Sequence, residues 1–452
     1  MKNPLERARE CARVLKEAGH ECYMVGGCVR DELMGIEPKD VDLTTNAMPL
    51  ETQTVFKEAG YRVVDLGIIY GTVAIVFPEG NVEITTYRLD GTYFDGRHPD
   101  SVEFARDIRG DLSRRDFTVN AIAKDPLTGE IVDPYDGRGA IKCKVLCSVG
   151  KPADRFAEDG LRIMRACRFA SKLGFAIEKE TLEAMRKNYN MLGFVSPERF
   201  RDELMKLLAG RDVMLGIHYL EESGIMNNFL HDIACLRGLR QRRKYHRYDA
   251  YEHSIKTVEA VPQEKPLVRF AALFHDTGKY TTAELIEGTD EHRFHGHEKE
   301  SARIVKNFMT DYRFSNDEIE KVVTIVREHM VKYDDQWSWG GVRRFANRVT
   351  DEHLEDLYVL RAADVKAHLA DDDDDRLDNL RKLYDRIGEL RVKNGSAEFS
   401  VKDLAIDGND VMEVLGIEPG PKVGKVLKTL FEKVLEDMSL NERETLLEMV
   451  KR

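Results

Sequence analysis

Near the amino end, the residues best suited to chemistry are two carboxylates separated by one apolar residue. Asp40 and Asp42 flank Val41 and follow Gly26 and Gly27 by a dozen residues in the run YMVGGCVRDELMGIEPKDVDLTT. Alternate side chains of a strand share a face, so both carboxylates are expected on one side while Val41 enters the core. Such a couple can hold hard divalent cations. A Gly-Gly pair at a strand end lets backbone N–H groups approach a triphosphate with no Cβ in the way, and Arg30 at the next helix start adds positive charge. Glu83, in VEITTYR on a neighbouring predicted strand, could supply a third oxygen ligand. Cations held there would lower the pKa of an attacking hydroxyl and neutralise a departing pyrophosphate. Either feature alone usually means a turn or a solvated strand edge. Their combination is much rarer.

The elements that must carry these groups form an α/β block over residues 1–140. Leu5–Ala18 reads as a helix, Glu21–Val25 as a strand and Val29–Met34 as a helix start. Short strands follow at Val41–Thr44, Thr72–Phe77 and Val82–Tyr87. From Asp154 onward the spacing is helical and strands are expected to stop, with Pro197 opening a helix through Leu208. The predicted fold class is therefore α+β: a small mixed-sheet head over 1–140, then all-α blocks over 141–244, 245–370 and 371–452.

The chain has 452 residues, 42% hydrophobic and 33% charged, which suits several cores and excludes a disordered chain. Apolar runs fall short of a membrane span, the amino end lacks a continuous apolar signal segment, and a cytoplasmic location is expected. Seven cysteines without a CxxC pair read as reduced thiols. The net charge of −12 argues against a protein coated in Lys and Arg, yet residues 237–247, RGLRQRRKYHR, carry six Lys or Arg and no acid. Phosphates respond to charge within a Debye length, so an RNA partner stays open.

The Gly-Gly and Asp-x-Asp pattern resembles the DNA polymerase β-like nucleotidyltransferases, and more closely the class II tRNA nucleotidyltransferase and poly(A) polymerase family. The resemblance runs in order through most of the chain. RRDFTVNAIA is similar to the motif that holds the ribose and phosphates of the incoming nucleotide, which implies that role for Arg114, Arg115, Asp116 and Asn120. DPYDG, Asp133–Gly137, resembles the junction between head and neck. EDGLR resembles the nucleotide-selection motif, usually EDPLR, with Asp159 and Arg162 reading the base edge and Arg165 and Arg168 continuing the stripe. On one helix, Asp159 and Arg162 would face the same way, three residues apart. Gly160 stands where the family has Pro, loosening the helix start. SPERFRDEL, with Glu198, Arg199 and Glu203, resembles a bracing motif. TYFDGRHPDSVEF, with Asp95, Gly96, Arg97 and Pro99, resembles the loop with which CCA-adding members switch from CTP to ATP.

In the C-terminal half His253, His275, Asp276, His297, His329 and Asp364 sit in helical contexts and resemble the HD phosphohydrolase frame. Imidazoles and carboxylates converging from several helices can bind a divalent transition metal and generate hydroxide; Lys279 could meet a phosphate. The resemblance implies untemplated addition of C, C and A to tRNA from CTP and ATP, with Mg2+ on Asp40 and Asp42 and with tRNA as partner. A poly(A) polymerase or an A-adding enzyme is the alternative within the fold. An HD phosphohydrolase with a sensor head, and an RNA-binding protein with degenerate sites, are the others. The basic stretch is equally a tRNA contact or a solvated loop, and Gly420–Gly424 equally a phosphate contact or a plain helix start.

Overall fold

A computed structural model describes residues 2–68, 71–90, 102–105, 107–244, 246–368, 373–394 and 399–451. The chain divides into two compact units, residues 1–229 and 230–452.

The first unit opens with the helix Pro4–Glu17, capped by Asn3 and Glu6 reciprocally. Next come β1 (Cys22–Val25), β2 (Asp42–Thr45), β3 (Arg62–Gly67), β4 (Thr72–Phe77) and β5 (Gly80–Thr86). β6 (Arg88–Asp90) and β7 (Val102–Phe104) form a separate antiparallel pair, and β8 (Ala123–Lys124) and β9 (Ile131–Val132) complete the main sheet. Its order is β3-β4-β5-β2-β1-β8-β9, with β2 and β5 parallel and the remaining pairs antiparallel. One face buries Met24, Leu43, Ile75, Val82 and Ile84 against Leu15 and Phe56 from the helices. The alternation that buries Val82 and Ile84 leaves Glu83 exposed between them, as the period of two demands.

The strand expected at Val41–Thr44 begins at Asp42, so Asp40 stands in the bend before it and is not a strand residue. Val41 is nonetheless buried and both carboxylates are exposed. Helices Pro152–Glu158, Leu161–Leu173 and Pro197–Leu208 follow, the last with Pro197 at its first turn as expected. Strands do not stop at Asp154, however. β10 (Val145–Leu146) pairs in parallel with β11 (Ala176–Ile177), and in the second unit β12 (Ala283–Leu285) pairs with β13 (His292–Phe294). These strands are two or three residues long, too short for a periodic signal.

The second unit is mainly helical. Ala250–Ala260, Pro266–Phe274, His297–Asp311, Asn316–Glu328 and Asp351–His368 pack together, and Gly408–Leu415, Pro421–Glu436 and Arg443–Lys451 enclose Val411, Leu430, Val434 and Leu446. At Gly278 a Cβ would lie 2.3 Å from the His297 carbonyl oxygen. Only glycine lets the turn after Asp276 and the start of the His297 helix meet so closely.

Candidate active site and a buried histidine cluster

β2 and β5 run in parallel with Asp42 opposite Glu83. Although Asp42 reaches solvent, the protein packed around it strips part of its hydration, and this with the negative charge of Glu83 pushes its carboxyl above the usual value, Arg115 countering and Asp40 adding to the effect. A carboxyl raised by its acidic neighbours suits a divalent cation. Gly26 takes a φ of +77°, and a Cβ on it would lie 3.1 Å from an Arg115 guanidinium nitrogen, so the glycine gives that cation room beside β1.

Behind this face lies a connected polar network. Arg30 is 2% exposed and donates to Asn120 Oδ1 at 2.6 Å and to Asp31 Oδ1 at 2.6 and 2.8 Å. Asn120 donates to Asp116 Oδ1 at 3.1 Å, and Arg165 donates twice to Asp116 Oδ2 at 2.7 and 2.9 Å. Burial would raise the Asp116 carboxyl, but the Arg165 charge and the bonds from Asn120, Arg165 and the Phe117 N–H bring it down to about 2. Arg168 pairs with Glu203 at 2.8 Å. The guanidiniums of Arg30, Arg165 and Arg168 all lie over the Phe169 ring, at 5.5, 5.5 and 3.9 Å from its centroid.

Asp111, fully buried, is a residue that sequence reasoning missed. Its Oδ1 accepts from Arg114 at 2.8 and 3.1 Å and its Oδ2 from Arg115 at 3.1 Å, so one carboxylate sets both arginines. The i,i+3 and i,i+4 spacing on one short helix was the available signal.

Asp159 and Arg162 do not share a helix. The chain breaks at Asp159, whose φ is −145°, and the next helix starts after Gly160. A Cβ on residue 160 would lie 2.5 Å from the Met191 carbonyl, so this glycine admits a close backbone crossing. Asp159 accepts from the Leu161 N–H at 3.0 Å and from Arg199 at 2.8 Å, while Arg162 donates to Glu158 at 2.7 Å and to the Arg114 carbonyl at 3.0 Å. The Arg162 bond ties the EDGLR segment to the arginine pair. In DPYDG, Asp133 accepts from the Gly137 and Arg138 N–H groups, making a turn. Asp95, Gly96, Arg97 and Pro99 lie outside the described residues.

In the second unit the six expected residues converge. His253 Nε2 lies 2.9 Å from Asp364 Oδ1 and 3.6 Å from Asp276 Oδ2. His275 Nε2 is 3.3 Å from Asp276 Oδ2, and His297 and His329 Nε2 lie 3.4 and 3.8 Å from its Oδ1. His275, His297 and His329 each donate Nδ1–H to the carbonyl three residues back, at 2.7, 2.9 and 2.6 Å, which leaves Nε2 as a lone pair facing the carboxylates. The Nε2 atoms of His275 and His297 are buried without a hydrogen-bond partner. Lys279 donates to Asp276 at 2.6 Å and to Gln241 at 2.7 Å, and Arg361 pairs with Asp364. Burial raises both carboxyls, yet the imidazoles and cations packed against Asp276 and Asp364 hold them well below the usual range. A cavity of about 570 Å³ opens beside them, lined in part by Arg242, Arg293, Lys332 and Tyr333. His246 and His368 also reach it and were not foreseen. In the basic stretch, Arg240 and Arg243 pair with Asp290.

Three family models match in chain order: "Poly A polymerase head domain" over residues 22–147, "Probable RNA and SrmB- binding site of polymerase A" over 174–236 and "tRNA nucleotidyltransferase domain 2 putative" over 298–450. The chain is 33% identical over 450 residues to the CCA-adding enzyme of Lactococcus lactis subsp. cremoris strain MG1363, covering 99% of this chain and 96% of that one. The chain belongs to the CCA-adding enzyme family. The CCA-adding enzyme of Geobacillus kaustophilus strain HTA426 is 44% identical over 225 residues, spanning 50% of this chain and about half, 54%, of that family member. Among solved structures, the Bacillus stearothermophilus CCA-adding enzyme in complex with CTP superposes with a TM-score of 0.71 at 28% identity, covering 100% of this chain and 97% of that one. The fold class expected for the family, a mixed-sheet head with a mostly helical body, is the one observed.

Proposed function

We propose that this protein adds C, C and A to the 3′ end of tRNA from CTP and ATP without a nucleic-acid template. The single observation that carries the reading is the pairing of Asp42 with Glu83 beside Asp40, one strand from Gly26 and Gly27, in a chain aligned over nearly its whole length with CCA-adding enzymes. Asp40, Asp42 and Glu83 are the residues that would hold Mg2+, whose bound charge activates the attacking hydroxyl and balances the leaving pyrophosphate. Arg114 and Arg115, fixed by Asp111, orient the triphosphate against the Gly26–Gly27 turn. Asp116, Asn120, Arg165 and Arg168, with Arg30 behind them, keep that surface in register. Asp159 and Arg162 offer an acceptor and a donor to the base edge once Arg199 and Glu158 release them. On this reading residues 1–140 are the head, 141–244 the neck, 245–370 an HD domain and 371–452 an RNA-binding region. The work belongs in the cytoplasm, where tRNA and nucleotide pools meet.

The test is incorporation of each labelled nucleotide into tRNA lacking its terminal CCA, in Mg2+. Two C and one A are expected. Asp42→Asn should lower the rate by about 10³-fold, the several kcal/mol of a lost cation ligand. Long A tails without CTP use would overturn the reading in favour of a poly(A) polymerase.

A second activity is favoured by the convergence of His253, His275, Asp276, His297, His329 and Asp364. The unpartnered Nε2 atoms of His275 and His297 fit a divalent transition metal, and the surrounding cations suit a phosphate ester. Hydrolysis of such an ester by the intact chain but not by Asp276→Asn supports this HD reading; equal rates would sink it.

A further inference from the structure

Two histidines remain that neither the HD frame nor the transferase site uses. His246 sits in the loop before the helix Ala250–Ala260, and His368 lies one helical turn beyond Asp364. Their ring centroids are 4.5 Å apart, and those of His368 and His253 4.8 Å. One ligand atom from each of His246, His253 and His368 falls within 4.8 Å of the others. His368 donates Nδ1–H to the Asp364 carbonyl at 2.8 Å, which leaves its Nε2 as an acceptor. His253 is 1% exposed and uses Nε2 toward Asp364; its Nδ1 and that of His246 are buried with no hydrogen-bond partner. One ligand nitrogen from each of the three rings thus lies near the others, and the rings of His246 and His253 each carry a buried nitrogen with no partner, which is costly unless something fills the space.

The geometry points to a separate site for a divalent transition metal ion on His246, His253 and His368, with a fourth coordination position open to the adjoining cavity. Nitrogens about a tetrahedral ion at ~2.0 Å stand ~3.3 Å apart, so a set whose atoms lie within 4.8 Å of one another would need to close by at most about 1.5 Å. Three neutral imidazoles select Zn2+, Co2+ or Ni2+ over Mg2+ and Ca2+. His246 and His368 line the cavity together with Arg242 and Lys279, so the open position faces a space suited to an anionic oxygen. The site shares His253 with the HD cluster, a ring that would have to bridge as imidazolate if both sites were filled at once, but it needs neither Asp276 nor His329.

Stripped full-length protein titrated with Co2+, followed by visible absorption and by calorimetry, tests the assignment. His246→Gln and His368→Gln should each remove one class of Co2+ site or weaken it at least about 100-fold, since losing a ligand exceeds the effect of losing a supporting contact. Asp276→Asn should spare that class. Unchanged stoichiometry and affinity in both Gln variants, with unaltered circular dichroism, overturns the proposal, as does loss of all binding in Asp276→Asn. Unchanged total binding in Asp276→Asn with loss in the Gln variants would retain this site and reject the HD metal instead.

Discussion

Asp116→Asn tests the polar network that joins the head to the helix Leu161–Leu173. The carboxyl is held at about 2 against an ordinary value of 3.8. At about 1.36 kcal/mol per unit, ionised Asp116 contributes on the order of 2 kcal/mol to folding at neutral pH. A carboxyl depressed in the folded state stabilises above its unfolded pKa and loses that contribution as pH falls through its folded pKa. The gap between wild type and variant should therefore be full at pH 7, still mostly present at pH 4 and roughly half gone by pH 3. Both tryptophans, Trp337 and Trp339, lie in the second unit, so first-unit unfolding is the urea transition seen by circular dichroism and missed by tryptophan fluorescence. With several transitions, each must be fitted separately. A destabilisation below about 0.5 kcal/mol at pH 7, or a gap indifferent to pH between 5 and 3, would refute the assignment of this energy to the Arg165 pair.

Asp159→Ala should cut discrimination between CTP and UTP by about 10–100-fold, the worth of one charge-assisted hydrogen bond, as read from kcat/KM for each nucleotide. Gly160→Ala places a Cβ 2.5 Å from the Met191 carbonyl and should cost about 1–3 kcal/mol in the first-unit transition; an unchanged midpoint would mean the crossing has slack. Among the free thiols only Cys143 is exposed, whereas burial pushes Cys11 and Cys167 up to about 12 and Cys28 to about 11. A disulfide-exchange reagent at pH 8 should therefore modify Cys143 fastest, with Cys11, Cys22, Cys28 and Cys167 reacting only on unfolding.

The parts legible in the sequence were those written in local periodicity. Val41 between two acids, Glu83 between Val82 and Ile84, and Pro197 at a helix start each follow from a period or a cap and appear where expected. The order of motifs likewise led to the family. What stayed hidden depends on contacts distant in the chain. Gly160 read as a weakened helix start because Met191 is thirty-one positions away, and the break it permits separates Asp159 from Arg162. Arg30 read as positive charge at a helix start, and its bond to Asn120, ninety residues on, could not be seen from that local signal. His246 was masked by the basic run around it; His368, four residues after Asp364 on one helix, left a signal that could have been read.

Each of His275, His297 and His329 is steered by a carbonyl of its own backbone, not by its neighbours in the cluster. Aim is therefore inherited from the main chain and set as the segments coil. On the proposed HD reading, an ion arriving later would meet donors already turned inward and have little ordering left to impose. Chelation would empty such a nest while its walls stood, and refilling would require only diffusion, unlike a zinc finger, whose shape vanishes with its metal.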